Sequence, residues 1–130
     1  MTKAPQFVGN FRELPHGNPA GPSLKESIDR GEREHIAGLV NYLTGGAVLA
    51  MSGQAARDPL DPQSKVIGEL SLRTDGEWLW YSDLSHFVEK YNIEIDPKFI
   101  KKAESRDWNC PHISDDDLET IGDIVFGEEE

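Results

Sequence analysis

A single cysteine, Cys110, is all the thiol this chain of 130 residues has. An internal disulfide is therefore excluded, as suits a protein of the reducing cytoplasm. No apolar run approaches the roughly 20 residues that a membrane span needs. The start, Met1-Thr2-Lys3-Ala4-Pro5, lacks the apolar stretch of a signal peptide. A cytoplasmic location and no membrane partner are the expectations. Basic residues are scarce, with 13 Lys and Arg against 24 Asp and Glu and a net charge of −11. A phosphate backbone is bound by clustered Lys and Arg, so direct binding to nucleic acid is not expected.

Motifs of chemistry are also missing. There is no P-loop and no glycine-rich dinucleotide turn after a strand. His35, His86 and His112 are scattered, without the spacing that brings two ligands to one metal, and Asp115-Asp116-Asp117 lacks the alternating ligands and the glycine of a calcium loop. No metal and no cofactor are expected. Cys110-Pro111-His112 is the one close thiol–imidazole pair, but the acidic run that follows it opposes thiolate formation. No catalytic residue is singled out. A small enzyme or ligand-binding protein using His86, Tyr81 or Cys110 remains an alternative to a binding protein, as does a regulatory interaction module.

What is present is one domain's worth of chain with clear local signals. Residues 1–22 hold Pro5, Pro15, Pro19 and Pro22, which exclude helix and central strand. They also hold Phe7, Val8, Phe11 and Leu14, so this extended arm is expected to pack on the domain formed by 23–130. Ser23 and Glu26 form a capping-box pattern for a short helix. Ile36, Leu39, Val40 and Leu43 make one apolar stripe on a helix over 32–44, stopped by Gly45-Gly46. Strands are expected at 47–51, 66–73 and 77–81. Further helices follow a Ser82 or Asp83 cap, the Asp96-Pro97 start and a Ser114 cap. The fold class is α+β: a three-stranded antiparallel meander with four to five helices, backed on one face.

Trp78-Leu79-Trp80-Tyr81 is the most informative stretch. Asp75-Gly76 before it predicts a tight hairpin with two positive-φ residues, pairing Arg73 with Trp78 and Leu72 with Leu79. Leu70, Leu72, Leu79 and Tyr81 then share one face, taken as the core. Glu69, Ser71, Arg73, Trp78 and Trp80 share the other. A polar face bearing two indoles admits two readings. Either the arm covers the rings, or Trp78 and Trp80 anchor a partner, with Arg73 stacked on Trp78 as a cation–π pair.

The acid is concentrated at the end of the chain. Residues 114–130 carry Asp115, Asp116, Asp117, Glu119, Asp123, Glu128, Glu129 and Glu130 with no Lys or Arg. Leu118, Ile121 and Val125 form an apolar stripe that would dock this segment. The carboxylates are either a solvated helix start, favoured by the helix dipole, or a surface that attracts a basic protein.

The stretch Thr74-Asp75-Gly76-Glu77-Trp78-Leu79-Trp80-Tyr81-Ser82-Asp83-Leu84 joins Gly9-Asn10-Phe11, Glu13-Leu14-Pro15-His16-Gly17 and Asp58-Pro59-Leu60-Asp61-Pro62 in one order. Together they resemble a family of small bacterial proteins with a TDG-W-W-SDL core, over about Gly9 to Trp108. That resemblance implies no catalytic residues. In size, acidity and lack of motifs the chain also resembles the immunity proteins of bacterial toxin systems. This implies a cognate toxin as partner, such as a nuclease or deaminase whose basic cleft an acidic protein would block.

Overall fold

The computed structural model describes residues 5–127. Met1 to Ala4, at the start of the expected arm, and Glu128, Glu129 and Glu130 of the acidic segment lie outside the described residues. The elements run β1 (Gln6–Phe7), α1 (Leu24–Ser27), a 3₁₀ turn (Arg33–His35), α2 (Ile36–Thr44), β2 (Ala47–Arg57), β3 (Val66–Thr74), β4 (Trp78–Tyr81), α3 (Leu84–Tyr91), α4 (Pro97–Ser105) and α5 (Asp115–Phe126). The class is α+β, but the sheet has four strands in the order β1-β4-β3-β2. The addition to the expected meander is β1, which pairs with β4 in parallel. Its six-to-seven stretch holds no alternation long enough to signal a strand. The second difference is length, since β2 runs on to Arg57 where a loop was expected from Ser52.

The hairpin register also differs. Thr74 lies opposite Leu79, Arg73 opposite Trp80 and Leu72 opposite Tyr81, two residues from the expected pairing. The cause is Asp75. Its Oδ1 accepts hydrogen bonds from the backbone N–H groups of Glu77 and Trp78 at 2.9 and 2.7 Å, which opens the turn into a longer connection. Gly76 has φ +100°, as a turn glycine should, while Asp75 does not join it in the left-handed region. Side chains alternate with period two, so a shift of two residues leaves every side chain on its expected face.

Which face forms the main core is the larger correction. Trp80 is fully buried and Trp78 is 5% exposed. Phe99 of α4 meets both rings edge-on, at 5.4 and 5.5 Å between centroids, and Tyr42 of α2 lies 6.1 Å from Trp80. The Trp80 indole N–H donates to the Leu43 carbonyl. Gly46 is needed here, because a Cβ would fall 2.5 Å from the indole ring. The indoles therefore sit under α2 and α4, in one buried cluster with Val8, Phe11 and Leu14 of the arm. Leu70, Leu72 and Leu79 on the other face are buried as well. There α5 packs on β2, with Gly122 over Leu49, and Phe7 and His16 lie against Tyr81. Helices pack on both faces of the sheet, where they were expected on one with the arm lying on the sheet.

The arm is built in. Val8, Phe11 and Leu14 are buried in the same cluster as Leu84, Phe87 and Phe99. Glu13 closes the start of α1: its carboxylate accepts from Leu24 N–H, Lys25 N–H and the Ser23 hydroxyl. Burial pushes the Glu13 carboxyl up, but these bonds outweigh it and hold the group at about 2. The expected capping box is thus half present. Ser23 accepts from Glu26 N–H, while Glu26 turns to Arg12 and Glu13 supplies the carboxylate. The caps at Asp96 and Ser114 form as expected, and Asn92 closes α3 at φ +49°.

Candidate functional site

The expected site residues separate into two groups. Trp78 and Trp80 belong to the core and offer no partner surface, because α2 and α4 cover the face that carries them. Arg73 does not stack on Trp78. Its guanidinium reaches past the end of α2 and donates to the Gly46 carbonyl at 2.8 Å and the Thr44 carbonyl at 3.3 Å. A helix C-terminus leaves carbonyls unsatisfied, and a cation is the natural partner for them. These three residues are structural.

Asp115, Asp116, Asp117, Glu119 and Asp123 lie on α5, and all five are exposed. The helix is rigidly started: the Ser114 hydroxyl accepts from Asp117 N–H, and Ile121 is buried. With Ile121 and Gly122 facing the sheet, Asp116, Glu119 and Asp123 fall at i, i+3 and i+7 on the outward stripe. Among the described residues no ion pair engages any of the five. Arg12, Arg33, Lys90, Lys102 and Arg106 all sit within 4.0 Å of a carboxylate elsewhere in the fold. The local field of α5 is therefore uncompensated.

Several residues that could do chemistry are tied into the structure. His86 lies 2.9 Å from Asp58, which is 1% exposed and also accepts from the Tyr91 hydroxyl. Burial raises the Asp58 carboxyl, but the bonds from His86, Tyr91 and Leu60 N–H outweigh it and lower it. Burial and the Asp58 bond push the Tyr91 phenol up to about 12. His16 pairs in the same way with buried Asp83, at 2.8 Å, and so pins the arm to the start of α3. An open cleft of about 380 Å³ between the arm and the β2–β3 hairpin is lined by His16, Arg57 and Leu70 among others, but not by His86. Burial first, then the Asp75 charge, push the Cys110 thiol up to about 11. A thiol held there is protonated at neutral pH, the less nucleophilic form. Tyr81 is covered by Phe7 and His16, and burial raises its phenol. Glu32, Glu34 and His35 bring ligand atoms within 4.8 Å of one another at the 3₁₀ turn, and among the described residues this group could hold a cation. Both carboxylates are exposed, and His35 Nδ1, buried and without a hydrogen-bond partner among the described residues, lies 3.5 Å from Glu32.

Asp58, Asp75 and Asp83 were not singled out as buried carboxylates. Asp75 also accepts from the Tyr42 hydroxyl at 2.6 Å and pairs with Arg106, which in turn holds Glu77. Burial and Asp75 raise the Tyr42 phenol further. The only signal for them in the sequence is their place before Pro59, Gly76 and Leu84, where an aspartate reads as a turn or a cap. Compared with protein-family models, curated proteins and solved structures, the chain matches none.

Proposed function

We propose that this chain is a non-catalytic acidic binding protein: an immunity protein that neutralises a nucleic-acid-acting toxin, such as a nuclease or deaminase, by blocking its basic cleft. The observation that carries the proposal is α5. It holds five exposed carboxylates on a docked helix with no cation against them among the described residues. Such an array imitates the charge of a phosphate backbone and steers a basic partner to it. The raised thiol of Cys110 and the bonded His16 and His86 are consistent with binding rather than catalysis.

The test is capture on the immobilised protein from the cytoplasm of the native host. The retained partner is expected to be basic, to elute with salt, and to lose a nucleic-acid-degrading or nucleic-acid-modifying activity when the protein is added back. A partner whose activity is unchanged on saturation would overturn the toxin reading.

A further inference from the structure

The sheet has two edges, and the fold treats them differently. β4 is covered by β1, and the arm continues that cover with a Val8 N–H to Leu79 carbonyl bond. The outer strand there is only two residues long, which leaves little to pair with. The opposite edge is β2, eleven residues long and bonded to β3 on one side only.

Natural proteins guard such an edge with charge, proline or a bulge. In β2 those devices sit in the second half. Three residues, Ser52 to Gln54, interrupt the pairing between Met51 and Ala55, with Gly53 at φ +79°, and Arg57 closes the strand. Ala47–Met51 contains no charge and no proline. Val48 and Met51 lie opposite Arg73 and Ser71, so they share one face, and they are 42% and 57% exposed. On the other face of the same strand lies α5. A strand laid on this edge would find free backbone groups, two apolar side chains on one face and the acidic helix on the other.

A second copy of the chain fits poorly, because it brings −11 of its own and an identical acidic helix. A basic segment is complementary. We propose that the Ala47–Met51 edge of β2 is a docking site for an extended, basic segment of a partner protein, which adds to the sheet as an outer strand. The proposal rests on the reading of α5 as the surface that attracts a basic partner, and names how that partner is held. Main-chain bonds give the affinity. Alternation gives the preference: apolar residues meet Val48 and Met51, and the intervening Lys or Arg face α5.

The probe is a short peptide of alternating Lys and Val, with a control peptide N-methylated at alternate residues so that one edge cannot donate. Each is titrated into the full chain, with amide exchange followed by NMR at two ionic strengths. The expected result is about tenfold slower exchange at outward amides within 47–51, and about tenfold weaker binding of the methylated peptide, since strand addition depends on those N–H groups. Replacing Asp116, Glu119 and Asp123 with Asn or Gln should weaken binding of the plain peptide and flatten its salt dependence, with circular dichroism unchanged. Equal binding of both peptides with unchanged β2 amides would overturn strand addition while leaving α5 as the attracting surface. Binding of neither peptide would overturn both readings. Concentration-dependent protection of 47–51 in the protein alone would assign the edge to a second copy and overturn the basic-segment proposal.

Discussion

Asp75 does at one position what a turn, a core and a helix contact usually do separately. One oxygen organises the backbone of the hairpin, and the other ties Tyr42 of α2 and Arg106, which caps α4, to it. Asp75→Ala would leave buried N–H groups and a partly buried guanidinium without their acceptor. A loss of roughly 3 kcal/mol in urea unfolding is expected, as for other broken buried pairs. Gly76→Val should cost about 1 kcal/mol or more, because φ +100° strains any β-branched residue. A third residue-scale prediction concerns acid. Glu13 is held at about 2, below its ordinary 4.5, so its bonds stabilise the fold fully above 4.5. That contribution is lost as pH falls from 4.5 toward 2. Glu13→Gln should flatten the pH dependence of stability across that window, and an unchanged profile would contradict the role given to Glu13. None of these partnerships is legible in sequence, because each joins residues ten or more positions apart or replaces a backbone bond with a side-chain one.

Elements were far more legible than contacts. The caps at Asp96 and Ser114 and the stripes of α2, α3 and α5 follow from local spacing alone, and the structure forms all of them. Asp75-Gly76 reads as a two-residue turn, which places the hairpin register two residues from the one formed, and the even shift preserves the faces. Assigning the core to a face failed for a different reason. Glu69, Ser71 and Arg73 made the tryptophan face look wet, yet Ser71 is buried and Arg73 is spent on the end of α2. β1 escaped notice because two residues carry no period. The burial of the indoles has a direct consequence. Trp80→Ala should destabilise by about 3–5 kcal/mol, as large core truncations do. Trp80→Phe should unfold earlier but, once folded, associate with the partner at an unchanged rate. A slower association in a folded Trp80 variant would return the ring to the partner surface.

At the scale of the whole molecule, charge is divided by use. The cations of Arg12, Arg33, Lys90, Lys102 and Arg106 are consumed in pairs within the fold, while α5 presents its carboxylates to solvent. The location of that acid was legible in the sequence, and so was the apolar stripe that docks it; that no ion pair engages it among the described residues required the structure. No helix among the described residues is long and apolar enough to cross a membrane. The account therefore turns on whether α5 steers association. The direct measurement is the association rate with the captured partner at two ionic strengths, for the natural chain and for a variant with Asp115, Asp116 and Asp117 replaced by Asn. Electrostatic steering predicts a rate that falls with salt in the natural chain, about tenfold slower association in the variant at low salt, and a flatter salt dependence. Circular dichroism should show the same fold in both. Equal rates at both ionic strengths would contradict the account and leave these aspartates as the capped, solvated start of a helix.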